Sequence, residues 1–240
     1  IDFATGTIKG AEALVRWIHP EQGMISPAHF IPIAEDTRLI IPLGQWVLEQ
    51  ACLQLKTWHQ LGFHLQSMSV NLAGPQITHS DICQLVSDVL TQNKLSAQYL
   101  ELEITETFIM EHQTEAIPVL EQLRDMGIRL AIDDFGTGYS SLSQLKQLPI
   151  HKLKVDRSFV QDIPEDSNDI AITKAIILMA KSLQLEVIAE GIETVEQQIF
   201  LSELECDEGQ GFLFSKPVTA SEFIELFQHY QAKQVMNFTI

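Results

Sequence analysis

The stretch TEAIPVLEQLRDMGIRLAID, Thr114 to Asp133, decides the fold. Its first part predicts an amphipathic helix over about Thr114 to Met126, closed by Gly127 as a C-cap glycine, and its second part a strand over Ile128 to Asp133. The same alternation extends upstream. It predicts a strand at Gly10 to Trp17, helices near Ala28 to Glu35 and Gln45 to Leu61, and a strand at Leu65 to Leu72. A helix over about Asp81 to Thr91, with Ser80 as its N-cap, and a strand at Tyr99 to Thr105 follow. Downstream, a glycine-rich loop leads to a short helix from about Ser140, a strand at Lys152 to Asp156, a helix from about Asp169 to Leu183 and a strand at Glu186 to Glu190. A helix from Thr194, a short strand near Cys206 to Gly209 and a helix from Ser221 complete the chain. About seven strands alternating with helices argue for βα units around a largely parallel sheet, and one further strand would close an eight-stranded α/β barrel.

At 240 residues the chain is long enough for one such barrel. Hydrophobic residues make up 45%, enough for a large core, and no Pro/Ser-rich linker or long charge run divides the chain. The net charge of −17 disfavours a nucleic-acid polymer or an anionic membrane as partner, and an anionic ligand would need metal ions beside it. The apolar runs are far shorter than the roughly 20 residues that cross a bilayer, so direct membrane insertion is not expected. Cys52, Cys83 and Cys206 lack metal-ligand spacing and read as buried thiols of a reducing compartment, the cytoplasm.

Asn71, Glu103, Asp133, Lys154 and Glu190 fall at or near the C-terminal ends of five successive predicted strands, and Gln210 follows a sixth. In a barrel that end holds the active site. Glu101, Glu103 and Thr105 share one face of their strand, and Lys152, Lys154 and Asp156 one face of theirs. Acids and lysines pointing inward need each other or cations. Glu12, Asn71, Glu103, Asp133, Asp134 and Glu190 are hard oxygen donors with no His or Cys among them, which selects Mg²⁺ or Mn²⁺ over zinc. Taken singly, each has a plainer reading. Glu12 or Glu103 would pair with Lys152 or Lys154, Asp133-Asp134 would be a strand-end turn, and Asn71 is ordinary turn chemistry. Taken together, six oxygen donors favour metal.

The segment EALVRW, Glu12 to Trp17, resembles the signature of the EAL-domain cyclic di-GMP phosphodiesterases. Six more motifs similar to that family's follow in order: SVNL ending near Asn71, LELEITET around Glu103 and Glu106, AIDDFGTGYSSL from Ala131, LKVDRSFV around Lys154, VIAEGIET around Glu190, and QGFLFSKP from Gln210. The resemblance covers nearly the whole chain.

It implies a modified (β/α)₈ TIM barrel, α/β in class, with an antiparallel first strand that is partly missing from this chain. It implies two divalent ions, Mg²⁺ or Mn²⁺, with Ca²⁺ inhibitory. Glu12, Asn71, Glu103 and Asp133 would hold the first ion, and Asp133, Asp134 and Glu190 the second. Two close metals suit in-line phosphodiester hydrolysis. By the same resemblance Lys154 orients the attacking water, Glu190 is the general base, and Gln210 supports the water. Arg16 and Leu14 would contact the substrate, cyclic di-GMP. The loop after Asp134, with Gly136, Thr137 and Gly138, would be ordered by Glu106 and carry a homodimer contact. From residue spacing, Glu106 on a continuing strand would face away from Glu103.

Ala73, Phe212 and His151 depart from the family pattern without touching an implied ligand, and the family's opening strand with its Gln-Pro pair has no counterpart. Residues 1–240 are therefore expected to be a single, N-terminally truncated EAL domain, with sensory or GGDEF domains upstream in the full-length protein. That protein would be cytoplasmic or anchored to a membrane with this domain in the cytoplasm. The expected activity is hydrolysis of cyclic di-GMP to linear pGpG. The alternatives are an inactive EAL domain that serves as a cyclic di-GMP receptor and a magnesium-dependent barrel lyase or isomerase; adjacent aspartates suit two metals better.

Overall fold

Gly127 takes a φ of +90°, and its N–H donates to the carbonyl of Arg124 at 2.8 Å. A left-handed turn of this kind suits glycine, and it ends one helix and starts the next strand as the sequence predicts. The computed structural model describes residues 1–138 and 142–237. In chain order the first elements are β1 (Gly10–Ala13), β2 (Trp17–His19), β3 (Gly23–Ile25), α1 (Pro27–Asp36), α2 (Ile40–Gln60), β4 (Ser67–Asn71), α3 (Gly74–His79) and α4 (Ile82–Asn93). They are followed by β5 (Leu100–Thr105), α5 (Glu106–Glu111), α6 (Gln113–Asp125), β6 (Arg129–Phe135), α7 (Leu142–Leu145) and β7 (Lys152–Val155). The last are α8 (Ser167–Ser182), β8 (Glu186–Ala189), α9 (Val195–Glu203), β9 (Glu208–Gly209) and α10 (Ala220–Asn237).

Two units are distinguishable. The first comprises Ala11–Ile104 and His112–Arg129. Here β4 and β5 pair in parallel, with Asn71 opposite Glu103 at the C-terminal end of the ladder. Leu48, Cys52 and Leu55 repeat along one face of α2 and are at most 2% exposed, as are Val86 on α4 and Leu120 on α6. Each such side chain contributes about 1.5–3 kcal/mol by leaving water. Glu101, buried on β5, accepts hydrogen bonds from Ser69 Oγ at 2.9 Å and Arg129 Nε at 3.2 Å.

The other unit comprises Ile1–Gly10, Thr105–Glu111 and the chain from Leu130. Its strands run in the order β6-β7-β8-β9, all parallel. Branched residues such as Leu153, Val155 and Val187 fill its core. Asp2 bridges Glu208 in the antiparallel sense, and the N–H of Phe3 donates to Asp207 O at 2.9 Å. The first residues thus meet β9 through an isolated antiparallel bridge. Lys152, buried on β7, pairs with Glu208 at 2.9 Å, and Glu208 also meets Lys9 at 2.6 Å.

Several predicted boundaries need correction. The predicted strand Gly10 to Trp17 ends at Ala13. Trp17–His19 instead forms a hairpin with Gly23–Ile25, because the Trp17 ring packs edge-to-face on Phe30 and Gly23, at φ +71°, turns the chain. Asp81, not Ser80, caps α4: its carboxylate accepts Gln84 N–H at 3.0 Å, while the Ser80 hydroxyl donates back to Gln76 O. Likewise α8 starts at Ser167, with Asp166 accepting the N–H groups of Asn168 and Asp169. The short helices α3 and α5 were not anticipated. Of the helix predicted from about Ser140, Leu142–Leu145 is helical, and Ser140 itself lies outside the described residues.

Candidate functional site

Strand β6 carries two adjacent aspartates, and a regular strand would send them to opposite faces. Its pairing with β7 departs from regularity at that point: Ile132 lies opposite Leu153 and Phe135 opposite Val155, so Asp133 and Asp134 together oppose Lys154. This is a β-bulge, and Asp134 takes the left-handed conformation with φ of 54°. The extra residue re-aims the second carboxylate. Asp133, Asp134 and Glu190 then each offer an oxygen within 4.8 Å of the others.

Lys154 enters this group from β7. Its ammonium is 2.9 Å from Asp133 Oδ1 and 2.7 Å from Glu190 Oε1, and the side chain is 2% exposed. A buried ammonium held by two carboxylates is fixed in place. Glu190 follows β8, its N–H donating to Val155 O at 3.1 Å. Gln210 occupies the equivalent place after β9: its N–H donates to Ala189 O at 2.9 Å, and its carbonyl accepts Ile192 N–H at 3.1 Å. Desolvation, then the charges of Asp133 and Asp156, raise the Asp134 carboxyl above its ordinary range. Three carboxylates facing one ammonium and repelling one another form a donor set of hard oxygens, which fits a divalent cation such as Mg²⁺ or Mn²⁺.

Glu106 does not lie on a continuing strand, in keeping with the predicted end of that strand at Thr105. The strand stops at Thr105, and Glu106 is the first residue of α5, 1% exposed. Its Oε2 accepts the N–H groups of Gly136 at 2.8 Å and Gly138 at 3.3 Å. Gly136 has φ of +103°, and a Cβ there would lie 2.7 Å from the Phe159 ring; a Cβ on Gly138 would lie 2.8 Å from Glu106 Oε1. Thr137 Oγ1 donates to Asp134 O at 2.8 Å. Tyr139, Ser140 and Ser141, the rest of the expected loop, lie outside the described residues.

In the other unit, Asn71 Nδ2 donates to Glu12 Oε1 at 2.7 Å, and Asn71 is in register with Glu103. Glu103 is 3% exposed. These three oxygen donors therefore gather by themselves at the ends of β1, β4 and β5. Leu14, 41% exposed, and Arg16, also exposed, follow β1, and Arg16 Nη1 donates to Val15 O at 3.0 Å. Lys152 pairs with Glu208, and Lys154 with Asp133 and Glu190. Among residues the sequence reading passed over, Gln197 stands out. It is 3% exposed and hydrogen-bonds four backbone groups. The pattern Thr194-x-x-Gln197, a capping box, was the available signal.

Residues 1–217 match the EAL domain family, and the chain belongs to it. It is 43% identical over 219 residues to the bifunctional diguanylate cyclase/cyclic di-GMP phosphodiesterase MucR of Pseudomonas aeruginosa, covering 91% of this chain and 32% of MucR. It is 44% identical over 229 residues to the cyclic di-GMP phosphodiesterase NbdA of the same organism, covering 95% of this chain and 29% of NbdA. The chain thus spans about a third of the length of these curated relatives. A solved structure described as PaMucR phosphodiesterase in complex with c-di-GMP matches with a TM-score of 0.85 at 43% identity, over 88% of this chain and 86% of that one. The α/β class expected from the sequence, with the TIM-barrel-like fold of EAL domains, is borne out by that match. No helix among the described residues is long and apolar enough to cross a membrane.

Proposed function

We propose that this domain hydrolyses cyclic di-GMP to linear pGpG with two divalent cations, Mg²⁺ or Mn²⁺. The observation that carries the reading is the bulge in β6, which gathers Asp133, Asp134 and Glu190 around the ammonium of Lys154. The names of MucR and NbdA, both cyclic di-GMP phosphodiesterases, support the substrate. Glu12, Asn71 and Glu103 would supply ligands for one ion, and Asp133, Asp134 and Glu190 for the other. Bound there, the cations supply charge neutralisation at the phosphodiester and activation of water for in-line attack.

The residues of the chain do the rest. Lys154, fixed by its two carboxylate partners, donates a hydrogen bond that orients the attacking water. Glu190 takes that water's proton, and Gln210, one strand over, holds the water in line. The water oxygen forms a new bond to phosphorus while the bond to the ribose 3′ oxygen breaks and that oxygen gains a proton. One hydrolysis leaves pGpG. Arg16 holds the second phosphate, for which a planar guanidinium is suited, and Leu14 lies against a guanine. Glu106 orders the turn at Gly136 to Gly138, and the loop after Asp134 carries a homodimer contact. The domain acts in the cytoplasm.

Incubation of the purified domain with cyclic di-GMP and Mg²⁺ or Mn²⁺, with products resolved by chromatography, tests this. Metal-dependent pGpG is the expected product. Binding of the nucleotide without turnover would identify a receptor instead.

A further inference from the structure

Gln197 is the third residue of α9, where a capping box accepts either Gln or Glu. Its Oε1 accepts Glu193 N–H at 2.7 Å and Thr194 N–H at 3.0 Å, which is all that capping requires. The amide does more. Its Nε2 donates to Val160 O at 3.1 Å and Gln161 O at 3.0 Å, so both donors and both acceptor positions are used and the side chain is 3% exposed. Val160 and Gln161 belong to the segment that follows β7, the strand of Lys154. Glu193 and Thr194 belong to the segment that follows β8 and begins with Glu190. Besides the bond from Glu190 N–H to Val155 O and the ion pair of Arg157 with Glu193 at 2.9 Å, the Gln197 amide ties these two segments together from a buried position. Gly191, at φ +72°, lies so close to the stem of Arg157 that a Cβ would come within 2.3 Å of it, so this part of the junction is tightly packed as well.

We propose that Gln197 is a positioning residue: through its amide donors it sets the separation of Lys154 and Glu190, and so the affinity of the adjoining carboxylates for a divalent cation. The proposal rests on the metal-dependent reading above. Glutamate at this position would cap α9 equally well but would lack both donors and set a carboxylate against two carbonyls, so Gln197→Glu separates positioning from capping.

Mn²⁺ binding to the purified domain, followed by the paramagnetic resonance of free Mn²⁺ without nucleotide, gives the direct readout. Affinity in Gln197→Glu is expected to fall about 10-fold, within the range seen for groups that support metal ligands. Cyclic di-GMP turnover should fall mainly in kcat with KM little changed. Val86→Ala, a buried change on α4, controls for general destabilisation and should leave Mn²⁺ affinity as in the unaltered protein. Should Gln197→Glu fail to fold, Gln197→Met keeps the volume without the donors and is expected to show the same loss. Unchanged Mn²⁺ affinity in the Gln197 variants, or an equal loss in Val86→Ala, would overturn the positioning role while leaving the phosphodiesterase reading intact. An unaltered protein that bound no Mn²⁺ would overturn both, whereas one that bound Mn²⁺ but left cyclic di-GMP intact would overturn only the phosphodiesterase reading.

Discussion

The carboxylate of Glu106 accepts the backbone N–H of Gly136 at 2.8 Å, which ties the first turn of α5 to the turn that follows Asp133 and Asp134. Because the same oxygen also takes the N–H of Gly138, one side chain holds both ends of that turn.

Glu106→Ala should therefore lower turnover by about 10-fold to 100-fold, by loosening the turn and misplacing the two aspartates. Raising Mg²⁺ or Mn²⁺ should recover part of that loss, but almost none of the loss in Glu12→Ala, which removes a ligand outright. Initial rates over a metal titration check this; identical curves for the two variants would assign Glu106 a direct part in the chemistry.

Lys154→Met removes the ammonium between Asp133 and Glu190. Turnover should drop by about 10²-fold to 10⁴-fold. With a chelator present, thermal stability should also fall, since two partly buried carboxylates lose their partner. Added Mg²⁺ should raise the melting temperature of this variant more than that of the unaltered protein, because a cation replaces the missing charge. An equal shift in both would argue against the cation binding at these carboxylates.

Burial works against the charged form of Lys9, but the hydrogen bond and charge of Glu208, with Glu186 adding to them, outweigh it and raise its pKa above the ordinary lysine value. A group whose pKa is higher folded than unfolded stabilises the fold fully below its unfolded value, near 10.5, and loses that contribution as pH rises through the folded value. Lys9→Met should thus be less stable than the unaltered protein at pH 7 to 9, with the gap closing in strong alkali. Denaturant melts across that range measure it.

Burial pushes the thiols of Cys52 and Cys206 up to about 12. Cys83, only partly buried, is raised as well, by burial first and then by Asp81. At pH 8 iodoacetamide should modify Cys83 slowly and leave Cys52 and Cys206 intact until the protein unfolds. Mass spectrometry of the native and denatured protein distinguishes the three.

Much of this was legible in the sequence. Thr114 to Asp133 announced its helix, glycine and strand because amphipathic period and left-handed glycine are local properties. The hard donors Asn71, Glu103, Asp133 and Glu190 could be placed at strand ends for the same reason. What was not legible depended on pairing between distant segments. The bulge that turns Asp134 toward Glu190 exists only against the register of β7. The end of β5 at Thr105 was predicted, but the helix that begins at Glu106 leaves no mark in the alternation of Glu101, Glu103 and Thr105. The two amide donors of Gln197 meet carbonyls 36 and 37 residues earlier in the chain, beyond the reach of any local pattern.

The most direct test of the central claim is the rate of pGpG formation from cyclic di-GMP by the purified domain in Mg²⁺, Mn²⁺ and Ca²⁺, beside the Asp133→Asn variant. Mg²⁺ or Mn²⁺ should support turnover. Ca²⁺, which is larger and acidifies water less, should suppress it. Asp133→Asn should be inactive at any metal concentration. Equal rates in Ca²⁺ and Mg²⁺, or near-normal turnover by Asp133→Asn, would contradict the account.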